Sequence, residues 1–249
     1  IELDFMYNVI YPPSEINDSK KYLYQIVSNK NGIDTDRFDY MLRDIKMTGI
    51  ENKYDLNYGS LINIMDNTKI RDNEFVYEEG IRYLLDMFFH TRFIIYKKVC
   101  NHKTVKSLEI MMGEILINLE DTFHIEESIK NYDWEKYCTF SDTIVHSLDF
   151  LSKRSKENDI AYKIYNRIKT RNNYKMLEDI VVYEKNDIEI QKQNLLDKYN
   201  DSEKYIINLS TIRYYSEEFP KFVRGEEIVL ENYFHCKGHD IYLLKVFEK

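Results

Sequence analysis

The chain has 249 residues and a formal net charge of −8, with 43% hydrophobic and 31% charged residues. That length holds one large domain or two small ones around a substantial core. Its apolar runs are too short to cross a bilayer, and its acidic balance argues against a dominant nucleic-acid-binding surface. Cys100, Cys138 and Cys236 are an odd number without a CxxC spacing, which argues for a reducing compartment and against both a disulfide framework and a zinc ribbon.

The opening "IELDFMYNVIYPP" has neither a basic stretch nor a small-residue cleavage site, so no secretion signal is expected. It opens without Met and reads as a fragment. The abundance of Tyr, Asn, Ile and Lys, with only 7 Gly and 3 Pro, matches AT-rich coding. A first helix is expected over Asp18 to Ser28, behind Pro12 and Pro13 and broken by "NKNG". "DTDRFDYMLRDIKMTG" predicts a second helix closed by Gly49, and "LNYGSLINIMDN" a short third. "TKIRDNEFVYEE" predicts a hairpin turning at Asp72-Asn73. Helical patterns then cover about Gly80 to Asn101, Thr104 to Leu119, Trp134 to Leu151 and Asn158 to Lys169. After residue 170 the texture changes to short β-branched and aromatic runs: "YKMLEDIVVYE", "EKYIINLSTIRYY", "EEIVLENYFHC" and "HDIYLLKVFEK". The expected class is mainly α (α+β), a helical part over residues 1–170 with a small β-rich part over 171–249 packed on it.

Three stretches concentrate chemistry. In the second helix Asp36, Tyr40 and Asp44 stand at i, i+4, i+8 and share a face, flanked by Arg37 and Arg43. Such a stripe suits a divalent metal, an arginine or a polyol ligand, but spacing alone favours a solvated face of i,i+4 pairs. In "DMFFHTRFIIYKKVCNHK", Arg92, Tyr96 and Cys100 repeat that spacing and Lys103 follows. An arginine among Phe and Ile is held for an anion, snorkels, or pairs with a carboxylate. In "RIKTRNNYK", Arg167 to Lys175, the basic residues cap helix carbonyls or bind phosphate.

In this order, "SNKNGIDTDRFDYMLRD", "MFFHTR" and "RNNYK" resemble segments that follow the catalytic core in HD-domain deoxynucleoside triphosphate triphosphohydrolases, above all the branch that in animals joins a SAM domain to the HD domain. The resemblance runs patchily over nearly the whole chain, and the "NGID-x-D-[KR]-x-DY-x-x-RD" run is its specific part. It implies a helical HD-superfamily-like body and hydrolysis of a dNTP to a deoxynucleoside and tripolyphosphate. Asp36 then matches a metal ligand, Arg37 and Arg92 match phosphate-binding residues, and Tyr40 and Asp44 match residues holding the deoxyribose. Tyr96 and Cys100 stand at positions facing the base, where the family commonly has His and Tyr. His102, Lys103, Arg171 and Lys175 match an allosteric nucleotide site.

The resemblance further implies a divalent metal (Mg, Mn, Fe or Zn) in a complete protein, deoxynucleotides and a nucleotide activator as partners, homo-oligomerisation, and an intracellular setting, cytoplasmic or nuclear. The family's defining histidine and His-Asp pair lie upstream of such a segment, so the resemblance places them before Ile1 and no catalytic residue is expected within this chain. The "GHD" at Gly238-His239-Asp240 falls in an expected hairpin and reads as chance, as do His235 and His239 beside Cys236. Glu78 and Glu79 occupy positions where the animal enzymes have basic allosteric contacts, and an acidic pair there is expected to repel a triphosphate. The rival reading is a catalytically inactive homologue serving as a scaffold or nucleotide-binding module. Single-stranded nucleic-acid binding through tyrosines and basic residues is a weaker third, opposed by the net charge.

Overall fold

The computed structural model describes residues 2–13, 16, 21–50, 56–151, 155–213, 220–225, 227–229 and 240–249. The start of the expected first helix and the residues His235, Cys236, Gly238 and His239 lie outside them. The helices are α1 (Glu2–Ile10), α2 (Tyr22–Val27), α3 (Thr35–Thr48), α4 (Tyr58–Asp66), α5 (Arg82–Ile95), α6 (Lys103–Phe123), α7 (Ile125–Lys130), α8 (Trp134–Tyr137), α9 (Thr143–His146), α10 (Leu148–Leu151), α11 (Lys156–Lys169) and α12 (Lys185–Lys198). The strands are β1 (Thr68–Arg71), β2 (Glu74–Glu78), β3 (Lys175–Val182), β4 (Tyr205–Ile212), β5 (Phe222–Arg224), β6 (Glu227–Val229) and β7 (Ile241–Glu248). The fold is mainly α with two small sheets, of order β1-β2-β5-β6 and β3-β7-β4.

The chain divides into two compact units, each discontinuous in sequence. The first comprises Ile1–Cys100, Val181–Ile188 and Ser210–Leu243, and the second Asn101–Ile180, Glu189–Leu209 and Leu244–Lys249. The β-rich stretch after residue 170 supplies residues to both.

In the first unit, local chemistry sets the ends of α3. Asp34 is extended and its side chain accepts from the Arg37 amide at 3.0 Å, satisfying one of the orphan donors of the first turn. Gly49 ends the helix in the left-handed region at φ 65°, which glycine adopts without a Cβ penalty. Before Asp34, the "NKNGID" loop is tied down by its own asparagines. The Asn29 amide donates to the Ile33 carbonyl at 3.1 Å, and the Ile33 amide donates to the Asn31 side chain at 3.0 Å. Both asparagine amides also reach the buried Tyr77 hydroxyl at 3.4 Å, and burial pushes that phenol up to about 12. α4 starts in a capping box between Asn57 and Ser60.

The hairpin turns where the sequence places it. Asp72 and Asn73 both take positive φ, 48° and 62°, the geometry that matches the twist of two antiparallel strands. β2 pairs in parallel with β5, Tyr77 opposite Phe222. Met41, Ile64, Leu85, Phe88 and Phe89 form the centre of this unit's core. Glu74 ties three elements together: it pairs with Lys21 before α2 and with Lys221 before β5. The hydrogen bond from Lys21, then that from Lys221, holds its carboxyl below the ordinary value of 4.5.

A depressed folded-state pKa contributes stability that is present above the unfolded value and lost as pH falls through the folded one. The acid limb of thermal unfolding below about pH 4.5 is therefore expected to be shallower in Glu74→Gln, while the mutant's deficit is full at neutral pH. Parallel acid limbs for the two proteins would remove Glu74 from that role.

The second unit is built on α6 against α11, with Met111, Ile115, Leu119, Ala161 and Ile164 buried between them. Here the structure corrects one expectation. The single helix foreseen over Trp134 to Leu151 is three one-turn helices, α8, α9 and α10. Thr139 donates to the Lys136 carbonyl at 2.7 Å, and the Ser141 and Thr143 hydroxyls bond each other at 2.7 Å. Such local side-chain bonds offer the backbone an alternative to the helical ladder.

Candidate functional site

The expected substrate residues lie in the first unit, on α3, on α5 and on the turn after it. α5 does not continue as a regular helix to Asn101. Tyr96–Cys100 winds as a π-helix, a form that recurs at functional sites. The i, i+4 spacing therefore holds for Arg92 and Tyr96 but no longer governs Cys100, which is exposed.

Arg92 and Tyr40 meet between α5 and α3. The Arg92 guanidinium lies 4.7 Å from the Tyr96 ring centre, donates to the Arg213 carbonyl at the end of β4 and hydrogen-bonds the Tyr40 side chain. Its Nε is buried without a hydrogen-bond partner. Among the described residues no carboxylate pairs with it. Burial raises the Tyr40 phenol above its ordinary value of 10.0, against the lowering from Arg92. Arg92 is thus a half-buried cation oriented by a ring, a hydroxyl and a backbone carbonyl, with one donor left over.

The other α3 candidates are more open. Asp36 is exposed in the first turn, and Arg37 is half-buried with its Nε 3.9 Å from Asp34. Burial raises the Asp34 carboxyl, against the Arg37 amide that lowers it. Asp44 is half-buried one turn beyond Tyr40. Arg43 turns to the solvent face and pairs with Asp39, so of the two arginines flanking the stripe only Arg37 stays near it. An apolar hollow of about 280 Å³ lies beside Asp34, lined by Ile33, Phe38, Ile70, Phe75 and Tyr77 among others, and none of the candidate residues borders it.

Among the described residues no group of three His, Cys, Asp or Glu side chains comes together as a metal site. Asp36 is a single exposed carboxylate, and its neighbour Asp34 is engaged as the α3 cap. The donors described here do not fit a resident divalent metal by themselves.

Glu78 and Glu79 do not stand as a free acidic pair. Glu78 is paired with Lys69 on the neighbouring strand, and both Glu79 oxygens accept from Arg224. The repulsion expected from them is largely cancelled, and neither partner was visible from local spacing.

The expected allosteric residues lie in the second unit. Lys103 and Lys175 border one cavity of about 240 Å³, together with Thr104, Ser107, Asn173, Tyr174 and Met176. His102 is the N-cap of α6, its Nδ1 accepting from the Thr104 amide at 3.3 Å, so the positive end of a 21-residue helix opens beside that cavity. Arg171 does not border it. It is an exposed residue at φ 58° in the turn closing α11. The remaining cations of that stretch are structural. Arg167 donates to the Asn172 carbonyl at 3.1 Å and stacks on Tyr174, and Lys169 pairs with Asp149. Sequence reasoning missed Ser107 and Asn173, which carry no charge to single them out.

No family model matches the chain. An HD domain-containing protein of Acanthamoeba polyphaga mimivirus is 36% identical over 149 residues, 59% of this chain and 30% of that protein. Deoxynucleoside triphosphate triphosphohydrolase SAMHD1 of Gallus gallus is 34% identical over 169 residues, covering 64% of this chain and 27% of that one. The Homo sapiens protein of that name is 29% identical over 181 residues, 67% of this chain and 28% of the other. The chain spans 30% or less of the length of these relatives. Among solved structures, a phosphohydrolase from Bacteroides thetaiotaomicron superposes with a TM-score of 0.70 at 17% identity, over 100% of this chain and 68% of its own. A protein from Aquifex aeolicus gives 0.70 at 20%, over 99% and 62%. These two likenesses concern the fold, and the fold agrees with the sequence relatives: over 59–67% of its length the chain is similar to HD-domain and deoxynucleoside triphosphate triphosphohydrolase proteins.

Proposed function

We propose that this chain is the nucleotide-binding part of a metal-dependent phosphohydrolase that converts a dNTP to a deoxynucleoside and tripolyphosphate. The observation that carries the reading is Arg92, a half-buried guanidinium held by Tyr40, Tyr96 and the Arg213 carbonyl with its Nε unsatisfied. Arginine's planar fork suits a phosphate oxygen, which the half-exposed end of the side chain can meet while Nε stays enclosed. Arg37 adds a second cation on the polyphosphate side. Tyr40 and Asp44 hold the deoxyribose, Asp44 accepting from a sugar hydroxyl. A buried carboxylate left unpaired by the wrong sugar discriminates strongly. Tyr96 and Cys100 face the base. Asp36 contributes one ligand to a metal whose other ligands are not among the described residues. Lys103 and Lys175, with His102 and Arg171 nearby, form a second anion site for a nucleotide activator, and a homo-oligomer is the assembly that goes with it.

The 249-residue chain alone is expected to bind dNTP, with a nucleotide-dependent rise in melting temperature. It is expected to release no deoxynucleoside with Mg²⁺, Mn²⁺, Fe²⁺ or Zn²⁺ and to hold these ions weakly, because one carboxylate cannot fix a metal's geometry. Thermal unfolding, metal content after dialysis and chromatography of released nucleoside check this. Robust turnover would move the metal site away from Asp36, and an unchanged melting temperature with every dNTP would sink the nucleotide reading. The second reading, a non-catalytic scaffold, is favoured by one observation: Arg92 already has three partners within the fold.

A further inference from the structure

In the second unit, Tyr132 to Phe140 hold four rings in successive contact. Tyr132 meets Trp134 at 5.8 Å between ring centres, Trp134 meets Tyr137 at 5.9 Å, and Tyr137 meets Phe140 at 6.2 Å, with planes at 65°, 86° and 84°. The first three are open to solvent: Tyr132 is 73% exposed, Trp134 54% and Tyr137 42%. Single exposed rings are ordinary, but contiguous exposed apolar surface marks interaction sites. The backbone adds a second observation. Tyr132 takes φ 54°, in the left-handed region, which a bulky side chain enters at a cost and asparagine or glycine enters readily. The turn itself is fixed by the Asp133 amide on the Ser128 carbonyl and the Trp134 amide on the Tyr132 carbonyl, both at 2.9 Å, and by the Asp133 side chain accepting from the Lys136 amide at 3.1 Å. None of these bonds needs a ring at position 132.

The charges indicate the occupant. Residues 120–142 contain seven Asp and Glu, two Lys and no Arg. Lys130 is already paired with Glu126, and among the described residues no Lys or Arg lies over any of the four rings. Aromatic faces attract cations, and arginine suits them best here because its plane stacks on a ring while its fork pairs with a carboxylate. A polyanion would be repelled by the same carboxylates. The spacing suits an extended chain. Alternate side chains of a strand stand about 6.6 Å apart on one face, close to the steps of 5.8 to 6.2 Å between the rings.

We propose that the Tyr132–Trp134–Tyr137 surface docks an extended, arginine-containing segment of a partner protein, with arginines at alternate positions stacking on successive rings and pairing with acidic residues of the same stretch. The inference is independent of the nucleotide readings above.

Trp134 is the only tryptophan of the chain, so its emission reports this surface alone. The test is a titration of the 249-residue chain with synthetic peptides of equal length that alternate serine with arginine, lysine or glutamate, and with an oligothymidylate. The arginine peptide is expected to shift the Trp134 emission to saturation and to bind more tightly than the lysine peptide. Tyr132→Asn is expected to weaken the arginine peptide about two- to fivefold, the worth of one exposed cation–ring contact, while melting no lower than wild type, because asparagine tolerates the left-handed backbone. Trp134→Leu, followed by the anisotropy of a labelled arginine peptide, is expected to weaken binding at least as much, since indole is the strongest of these rings toward cations.

Arginine-peptide affinity that is equal in wild type, Tyr132→Asn and Trp134→Leu, or a lysine peptide that binds as tightly, reduces the attraction to net charge and overturns the inference. Tighter binding of the oligothymidylate puts a nucleic-acid strand on the rings instead, and tighter binding of the glutamate peptide reverses the charge argument. Emission unmoved by every probe, or a Tyr132→Asn variant that melts lower with undiminished peptide affinity, makes the four rings a structural cluster.

Discussion

Arg92→Ala is expected to weaken dNTP binding by roughly ten- to a hundredfold, the loss of a charge-assisted arginine–phosphate contact typically worth about 1.5–3 kcal/mol. Without nucleotide the same substitution also removes a bond to the Arg213 carbonyl, a bond to Tyr40 and a stack on Tyr96. A modest fall in apo stability, on the order of 1–2 kcal/mol, is therefore expected beside the binding defect. It falls short of the roughly 3–5 kcal/mol of a broken buried ion pair, because no described carboxylate is left behind. Arg92→Lys should rescue part of the stability and little of the binding, since an ammonium cannot reproduce the planar fork. Thermal unfolding of the three proteins with and without dNTP separates the readings. A ligand residue loses the nucleotide-dependent rise. If Arg92→Ala melts far lower but keeps the full rise, the phosphate role is wrong and the scaffold reading gains.

The parts of the fold that were legible in the sequence share one property: a few neighbouring residues decide them. Asp34 and Gly49 delimit α3 because a side-chain acceptor and a left-handed cap act within one turn. The Asp72-Asn73 turn is likewise local. What escaped was decided elsewhere. Helix α12 was not foreseen because its sequence, "KNDIEIQKQNLLDK", is polar on most faces and buries only Ile188 and Leu195. The π-turn at Tyr96–Cys100 leaves no mark in a window of Tyr, Lys and Val that suits an ordinary helix.

The same division runs through the candidate site. The Arg92–Tyr96 contact follows from i, i+4 spacing. The Arg92–Tyr40 contact joins two helices and was not expected: the family resemblance gave the two residues separate roles at one nucleotide and no bond between them. The Arg213 carbonyl, 121 residues away, could not be read from sequence at all, because any residue offers a carbonyl. The pairing of Glu79 with Arg224, 145 residues apart, overturned a repulsion argument that was sound for isolated charges and failed once the fold supplied a counterion.

The geometry between α3 and α5 depends on aromatic packing as much as on polar bonds, and Phe88 is its centre. It is 0% exposed and meets Phe38 of α3 edge-on, with ring centres 5.4 Å apart and planes at 85°. On its other side it meets Phe89 at 5.6 Å and 78°. Phe38 stands two residues before Tyr40 and Phe88 four before Arg92, so this contact sets the spacing at which the Tyr40 hydroxyl reaches the guanidinium. Phe88→Ala should cost about 3–5 kcal/mol, from lost burial and the cavity left behind, with the two edge-to-face contacts contributing about 0.5–1.5 kcal/mol each within that total. Phe88→Leu keeps most of the apolar volume and should cost less, yet it loses the ring edges that fix the helix separation. The leucine variant is therefore the informative one. It is expected to stay folded by denaturant titration while its nucleotide affinity falls about severalfold, because a small misplacement of binding groups is felt strongly. A leucine variant with reduced stability but wild-type nucleotide affinity would show that the Tyr40–Arg92 geometry is maintained without Phe88, by Arg213 and Tyr96 alone.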